Sequence, residues 1–505
     1  MNLGKYNRYV PVLGWLLVCA LFQFSTFRNT EEQGMLTGFN LFQVAFSFVG
    51  GCVLLLIYDK VKEVSPEKLF STAVLLVGII YIFVLTPLSP PDERLHYHTA
   101  YEISEYIMGQ DGATIPYTHF NYDGISIHNN TRLAYETCLQ RYTEDVGDQT
   151  LAAVPEPVKL NYFVEYLPQT IALVLARLTN MNFINTFHLG RLLNLLFFTA
   201  CVYFSVKIIP KYKHSLGLLC LFPITVQQAA SYSYDSFIIG ISFCLLAVLL
   251  KSVYADEKMS RKLYAEILFF SILLLPTKIV SAYSLLIFLF LLIPKEKFQS
   301  IKDKYLKFLI LIILCLLFLG IFQWNSLTTL SEPSQEVVLN WEGKQNYTLE
   351  YCLQHPYYIM RIFLKTLVIM PRHWYRDLFT LSGLNMPLPY LIKIVITVIL
   401  IVAVLGEENT KLIIKKKEKL FFAILFALLI FVFLCAMLLV WTSDFRDTVV
   451  GIQGRYFIPF LPLLFMLTDN RKFVLKRAWM ERLTGYELLM QWLTIIYIVD
   501  FTLKH

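Results

Sequence analysis

Apolar residues along this chain gather into long unbroken blocks, without the alternating or 3.6-residue patterns of a soluble core. The blocks fall at 9–27, 38–58, 69–88, 186–206, 214–230, 236–251, 262–276, 278–293, 305–325, 388–405, 419–441, 453–468 and 483–502. Helices of roughly 17–25 residues match the hydrocarbon thickness of a bilayer. Helix is also the element that satisfies its own backbone polar groups in lipid. The pattern predicts an all-α polytopic membrane protein with about 13 transmembrane helices.

Lysine and arginine collect in the short connections: Lys60, Lys62 and Lys68; Lys207, Lys211 and Lys213; Lys251, Lys258, Arg261 and Lys262; and five lysines from Lys295 to Lys307. Lys411, Lys415–Lys417 and Lys419, then Arg471, Lys472, Lys476 and Arg477, complete the set. Positive short loops lie on the cytoplasmic side, which puts the N-terminus inside. The alternation closes only if Tyr162–Thr179 does not cross, since crossing would strand Lys207, Lys211 and Lys213 outside. Tyr357–Pro371 poses the same problem, so both are read as interfacial or re-entrant helices on the outer surface. Such backbone is tolerated at membrane depth only where protein or a water-filled cavity covers it, which predicts an outer cavity. The resulting organisation is a transmembrane hairpin over 1–68, a core over 69–470 with folded outer loops at 89–160 and 326–387, and a basic loop plus last span over 471–505.

Composition agrees. The chain is 56% hydrophobic and 16% charged, against about 25% charged in soluble domains. The net charge of +7 sits in short loops, which excludes a nucleic-acid-binding face. No small-residue cleavage site follows the first apolar block, so it reads as a retained span. Seven of nine cysteines lie in apolar blocks as small hydrophobes, and no CxxC supports a zinc or redox centre. Cys138 and Cys352 fall in polar loops, where a disulfide and two free thiols are both open readings. No internal repeat is visible, unlike transporters built from duplicated halves.

Candidate chemistry gathers at the outer lip. Ser89-Pro90-Pro91-Asp92 reads as a helix start, with Ser89 as N-cap and an acid three residues on. Asp92 and Glu93 could merely complement the helix dipole, worth about 0.3–1 kcal/mol. They also stand at the first step out of the membrane, where an ionised carboxylate can take a proton from a hydroxyl. His96 follows one turn later, and Leu95, Ile103 and Ile107 form an apolar stripe suited to the bilayer surface. Asp235, in the tight turn before the block at 236–251, is either a cap for that span or a second outer acid. Arg191, Lys278, Arg372 with His373, and Arg455 are outer-face bases. Each alone would snorkel or pair, but together beside the acids they fit a phosphate-bearing lipid. Tyr166, Gln169, Asn194 and Gln453, polar groups of the same segments, complete the expected substrate-binding set.

The stretches SPPDERLHYHTAYEIS, YLPQTIALVLARLT, HLGRLLNLL, FPITVQQAASYSYDSF, PTKIVSAY and GIQGRYFIPFLP occur in this order. With the PPDE-x-x-H and QGRYF-x-P elements as the specific ones, the chain from Tyr81 to Leu467 resembles a bacterial integral membrane protein family of the GT-C glycosyltransferase superfamily. The resemblance implies a GT-C-like helical bundle and an inverting sugar transfer outside the cell membrane. The donor would be a polyprenyl-phosphate-linked sugar and the acceptor a cell-surface glycan or glycolipid. Asp92 would be the general base, Glu93 would orient it, and Arg191, Lys278, Arg372 or Arg455 would stabilise the departing phosphate. Asp235 resembles the second outer carboxylate of such enzymes. A donor-synthesising glycosyltransferase and a flippase are the implied partners, beside membrane lipid. The acidic motif follows the third apolar block, so the hairpin at 1–68 is extra relative to the GT-C pattern. The first outer loop has no DxD triplet, so no cofactor is expected, a divalent cation being the less favoured option. The alternative class is a transporter or flippase, or a non-catalytic assembly component, for lipid-linked surface polysaccharide.

Overall fold

The computed structural model describes residues 64–110, 114–116, 125, 127–143, 151–153, 160–277, 282–331, 343–407, 412–469, 473–475 and 477–505, with positions 45, 49 and 52. The apolar block at 9–27, nearly all of that at 38–58, and Lys278 lie outside the described residues.

Helix α1 (Pro66–Val84) starts with proline at its first turn and leads across the lip into α2 (Glu93–Ile107). In the first long loop an antiparallel pair, β1 (Thr114–Pro116) with β2 (Leu151–Ala153), brackets α3 (Arg132–Arg141). A 3-10 turn at Leu160–Tyr166 enters α4 (Leu167–Leu178), followed by α5 (Phe183–Ile208), α6 (Lys213–Cys220) and α7 (Pro223–Ala229). Next come α8 (Asp235–Tyr254), α9 (Arg261–Leu273), a 3-10 run at Ala282–Leu292 and α10 (Ile301–Ser331). The second loop holds α11 (Leu349–Gln354), α12 (Pro356–Ile369), α13 (Pro371–Asp377) and the pair β3 (Thr380–Leu381) and β4 (Met386–Pro387). The chain closes with α14 (Tyr390–Gly406), α15 (Lys416–Val440), a 3-10 turn at Gly454–Phe460, α16 (Pro462–Leu467) and α17 (Arg477–Lys504).

Among the described residues six helices are long and apolar enough to cross a membrane: α1, α5, α8, Ile301–Ile321 of α10, α15 and Trp479–Lys504 of α17. The 3-10 run Ala282–Leu292 and α14 are shorter apolar helices. The expectation of about 13 transmembrane helices is thus met only in part among the described residues, and proline is one reason. The block at 214–230 breaks at Pro223 into α6 and α7, and that at 453–468 becomes a 3-10 turn and α16 around Pro459 and Pro462. Proline lacks the N–H for the helical ladder and clashes with the preceding turn. The first break is affordable because every residue from Ser215 to Leu250 is buried in protein. The Gln491 side-chain amide of α17 donates to the Leu221 carbonyl freed there.

The buried centre is α8, packed on α5, which also packs on α1 and α4. Gly78 lets α1 and α5 meet, since a Cβ there would lie 2.4 Å from Leu195 Cδ1. Neither α4 nor α12 can span: 12 and 14 residues make helices of about 18 and 21 Å, against a core of about 30 Å. Each exposes an apolar row, Ile171, Leu175 and Leu178 on α4, and Tyr357, Met360, Leu364 and Val368 on α12.

The two ends of the bundle differ in charge. The C-termini of α5, α8 and α14 and the N-termini of α9, α10, α15 and α17 share one end, where the lysine-rich short connections lie. There Lys297 Nζ donates to the Ser252 and Val253 carbonyls, and Lys304 Nζ to those of Leu291 and Ile293. Glu407 accepts from the Ser215 N–H and hydroxyl, and Lys211 pairs with Asp469. The opposite end carries α2, α4, α12 and α13.

The expected bilayer stripe on α2 is also corrected. Leu95 and Ile107 are exposed but Ile103 is buried, because α4 and the 3-10 turn at Leu160–Tyr166 pack on this helix. Burial on α2 lowers the His98 imidazole to about 4, with Arg94 acting in the same direction. An unfolded histidine binds its proton near pH 6.5. The stability tied to neutral His98 is thus complete above pH 6.5 and lost as pH falls from there towards 4. The melting temperature of the purified protein should drop between pH 7 and pH 4.5. His98→Gln should shrink that drop, and an unchanged drop would assign it to other groups.

Candidate functional site

The lip after α1 is built around Glu93. Arg191, two turns into α5, places Nε 2.9 Å from Glu93 Oε1 and Nη2 2.6 Å from Oε2, both side chains fully buried. The remaining guanidinium N–H groups go to the carbonyls of Ile82, in the last turn of α1, and of Leu85 and Thr86 just beyond it. Glu93 also accepts from the backbone N–H of Leu88 at 2.9 Å and of Tyr232 at 3.0 Å. The pair is saturated by itself and by backbone. Its geometry is that of a clamp joining α1, α2, α5 and the turn before α8, which leaves neither group facing a ligand.

The clamp also explains why the helix start differs from its sequence reading. Ser89 gives its hydroxyl to the Thr86 carbonyl, and α2 begins only at Glu93. Asp92 is the N-cap residue, held left-handed at φ 57°, with Leu88 left-handed at φ 67°. Such backbone costs an L-residue about 1–2 kcal/mol, least for Asp and Asn. Glu93, drawn inward by Arg191 and by the Leu88 N–H, forces the turn, and Asp92 is left with its side chain 56% exposed. Residues in strained turns held by their surroundings cluster at functional sites.

Gln169 and Asn194 hold the turn that carries Asp235. Gln169 Nε2 donates to the Tyr232 carbonyl at 3.2 Å, and Asn194 Nδ2 to the carbonyls of Ser231 and Ser233 at 2.7 and 3.1 Å. Asn194 Oδ1 accepts from the Ser236 hydroxyl. Gly190 leaves room for Tyr232, whose hydroxyl would lie 1.9 Å from a Cβ at that position. Asp235 itself does not cap α8, since Tyr234 occupies the N-cap and no side-chain cap bond forms. Gln169 Nε2 and Asn194 thus hold backbone, as scaffold for the acid, while Gln169 Oε1 is buried without a hydrogen-bond partner among the described residues.

Arg455 unites the two acids. Its Nε lies 2.7 Å from Asp235 Oδ2, a charge contact without hydrogen-bond alignment, and its Nη2 lies 3.7 Å from Asp92 Oδ2. The guanidinium is 4% exposed and stands 5.5 Å from the Tyr456 ring centre. Gly454 permits this placement, because a Cβ there would sit 2.0 Å from the Trp374 carbonyl of α13. His96 and Tyr166 share a hydrogen bond at 2.8 Å, and the His96 ring meets Tyr234 edge-on at 4.8 Å. Burial holds the Tyr166 phenol well above its usual range, and Glu165, Asp235 and Asp92 push the same way.

Of the expected set, the structure brings together Asp92, His96, Tyr166, Asp235 and Arg455, with Gln453 adjacent in the chain. Arg372 and His373 are exposed on α13, which packs against the turn carrying Arg455. Two acids escaped the sequence reading as site candidates. Asp377 lies at the end of α13, its carboxyl raised by burial against the opposing pull of Arg376, His373 and Arg455. Glu165 is fully buried beside Tyr166. In the sequence Glu165 is the one acid within the apolar stretch Tyr162–Thr179, and RHWYRDLF offers no signal that singles out Asp377. Asp92, Asp235 and Asp377 thus lie within electrostatic reach of Arg455, with Arg376 and His373 beside Asp377. No group of three or more His, Cys, Asp or Glu side chains placed to hold a metal occurs among the described residues. Cys138 and Cys352 are both free thiols.

No curated protein and no solved structure matches the chain. Residues 75–464 match the family described as "Predicted membrane protein (DUF2142)", which covers every group of the site just described, and the chain belongs to that family.

Proposed function

We propose that this protein is an inverting GT-C-type glycosyltransferase that moves a sugar from a polyprenyl-phosphate donor to a cell-surface glycan or glycolipid. The observation that carries the reading is Asp92, an exposed carboxylate in a left-handed turn at the bundle end, 3.7 Å from a buried arginine that also meets Asp235. The lysine-rich connections at the opposite end support an outward-facing site. In this reading Asp92 takes the proton of the acceptor hydroxyl. The freed oxygen attacks the anomeric carbon from the face opposite the donor phosphate, and the carbon–oxygen bond to phosphate breaks with its electron pair leaving on phosphate. Arg455 fixes both acids in place, and in this reading Asp235 accepts from a sugar hydroxyl. Arg372 and His373 are the exposed groups of α13 able to meet the departing phosphate. Arg191 is withdrawn from that role by Glu93.

A flippase for a lipid-linked glycan is the second reading, supported by Glu487, a buried acid in the middle of α17 hydrogen-bonded to Gln491. Glycan composition separates the two. A deletion strain should lack one sugar or branch of a surface glycan under the transferase reading, and the whole polymer under the flippase reading. An unchanged composition would remove both.

A further inference from the structure

The contact between α13 and the 3-10 turn at Gly454–Phe460 leaves three polar atoms buried without a partner among the described residues: Trp374 Nε1, Arg455 Nη1 and Gln453 Oε1. Trp374 and Arg455 are 7% and 4% exposed, so water does not solvate them freely. A buried polar group without a partner is costly, and a native structure that keeps several in one place has a ligand or ordered water for them. They are neighbours: the Trp374 carbonyl lies against Gly454, its ring is 5.0 Å from Phe457, and Arg455 is the next residue after Gly454. They also adjoin the two acids, since Asp235 and Asp92 face the Nε and Nη2 of Arg455 and leave its Nη1 without a hydrogen-bond partner among the described residues.

The chemistry of the three atoms is mixed. Indole N–H and guanidinium N–H only donate, whereas an amide oxygen only accepts. A phosphate, which only accepts, would satisfy two of them and repel the third. A hydroxyl both donates and accepts. We propose that Trp374, Gln453 and Arg455 form a subsite for the vicinal hydroxyls of a pyranose ring, with Asp377 at its edge. This rests on the glycosyl-transfer reading of the same site. It adds that the sugar is recognised by the QGR turn and the tryptophan of α13. The same ring chemistry is offered by the donor sugar and by the acceptor glycan.

The test is saturation-transfer NMR on the full-length protein in nanodiscs, with two probe sets. One is short-chain prenyl-phosphate hexoses; the other is phosphate-free oligosaccharides of the same hexoses. Wild type should bind one set, which identifies the source, and should bind its vicinal dideoxy analogues at least tenfold more weakly. Trp374→Phe keeps an aromatic ring against Phe457 and removes the N–H together with the five-membered ring that carries it, and Gln453→Met keeps the length and removes the amide. Each should weaken binding about five- to tenfold while the melting temperature stays within a degree or two of wild type. Asp92→Asn should retain binding. Absence of sugar binding by wild type, or binding by both variants equal to wild type, overturns the subsite. If sugar binding behaves as stated while the deletion strain keeps its glycans, the subsite stands and the transfer reading falls. If the glycans change but binding ignores Trp374 and Gln453, the reverse holds.

Discussion

Glu93→Gln is expected to be the most destabilising single change at the end of the bundle that carries α2. It would leave the fully buried Arg191 cation facing an amide, with one of the two charge-assisted contacts at 2.6 and 2.9 Å reduced to a neutral bond or lost. Removing one member of a buried ion pair costs about 3–5 kcal/mol, because the remaining charge stays desolvated and unpaired. The amide would also turn an N–H towards the Leu88 or Tyr232 N–H, each of which now donates to the carboxylate. Thermal unfolding of the purified protein should shift down by many degrees, and yield in the membrane should fall. Arg191→Lys should behave almost as badly, since one ammonium cannot serve both carboxylate oxygens and the carbonyls of Ile82, Leu85 and Thr86. A Glu93→Gln protein with wild-type melting temperature would show that the clamp is dispensable.

Asp92→Asn is expected to do the opposite: leave the fold intact and remove the activity. Asparagine accepts the left-handed conformation at least as readily as aspartate, so the φ of 57° costs nothing new. The side chain is 56% exposed and its contact with Arg455 is 3.7 Å, so little stability rests on it. An amide cannot take a proton, and loss of a general base slows transfer about 10²–10⁴-fold. The measurement is the surface-glycan composition of a deletion strain complemented with each variant, with protein level and melting temperature as controls. Unimpaired decoration by the Asp92→Asn protein would end the assignment of Asp92 as base. Asp235→Asn should lower activity as well, but through the 2.7 Å contact that orients Arg455.

The contrast between these adjacent residues shows where the sequence could and could not be read. The apolar blocks and the lysine-rich short loops determined the class of protein, because bilayer thickness and charge asymmetry act on composition and length alone. The same bookkeeping identified Tyr162–Thr179 and Tyr357–Pro371 as segments that do not span, and α4 and α12 are indeed too short. The acidic pair, Asp235 and Arg455 could be named as candidates because polar groups in a lip are scarce.

Only tertiary structure separated their roles. Asp92 and Glu93 are neighbours of similar chemistry, yet one faces outward in a left-handed turn and the other is sealed against Arg191, nearly a hundred residues away. Gln169 and Asn194, named from the sequence as ligand-binding polar groups, turn out to hold the backbone of the turn before α8 through their side-chain amides. Asp377 and Trp374 carried no pattern at all, and they matter because Gly454 lets the Arg455 turn close against α13. Length and hydropathy are properties of a segment and survive in the linear code. Saturation of a charge, the sign of a backbone angle and the meeting of two distant turns arise from contacts between segments, and no local stretch of the chain contains them.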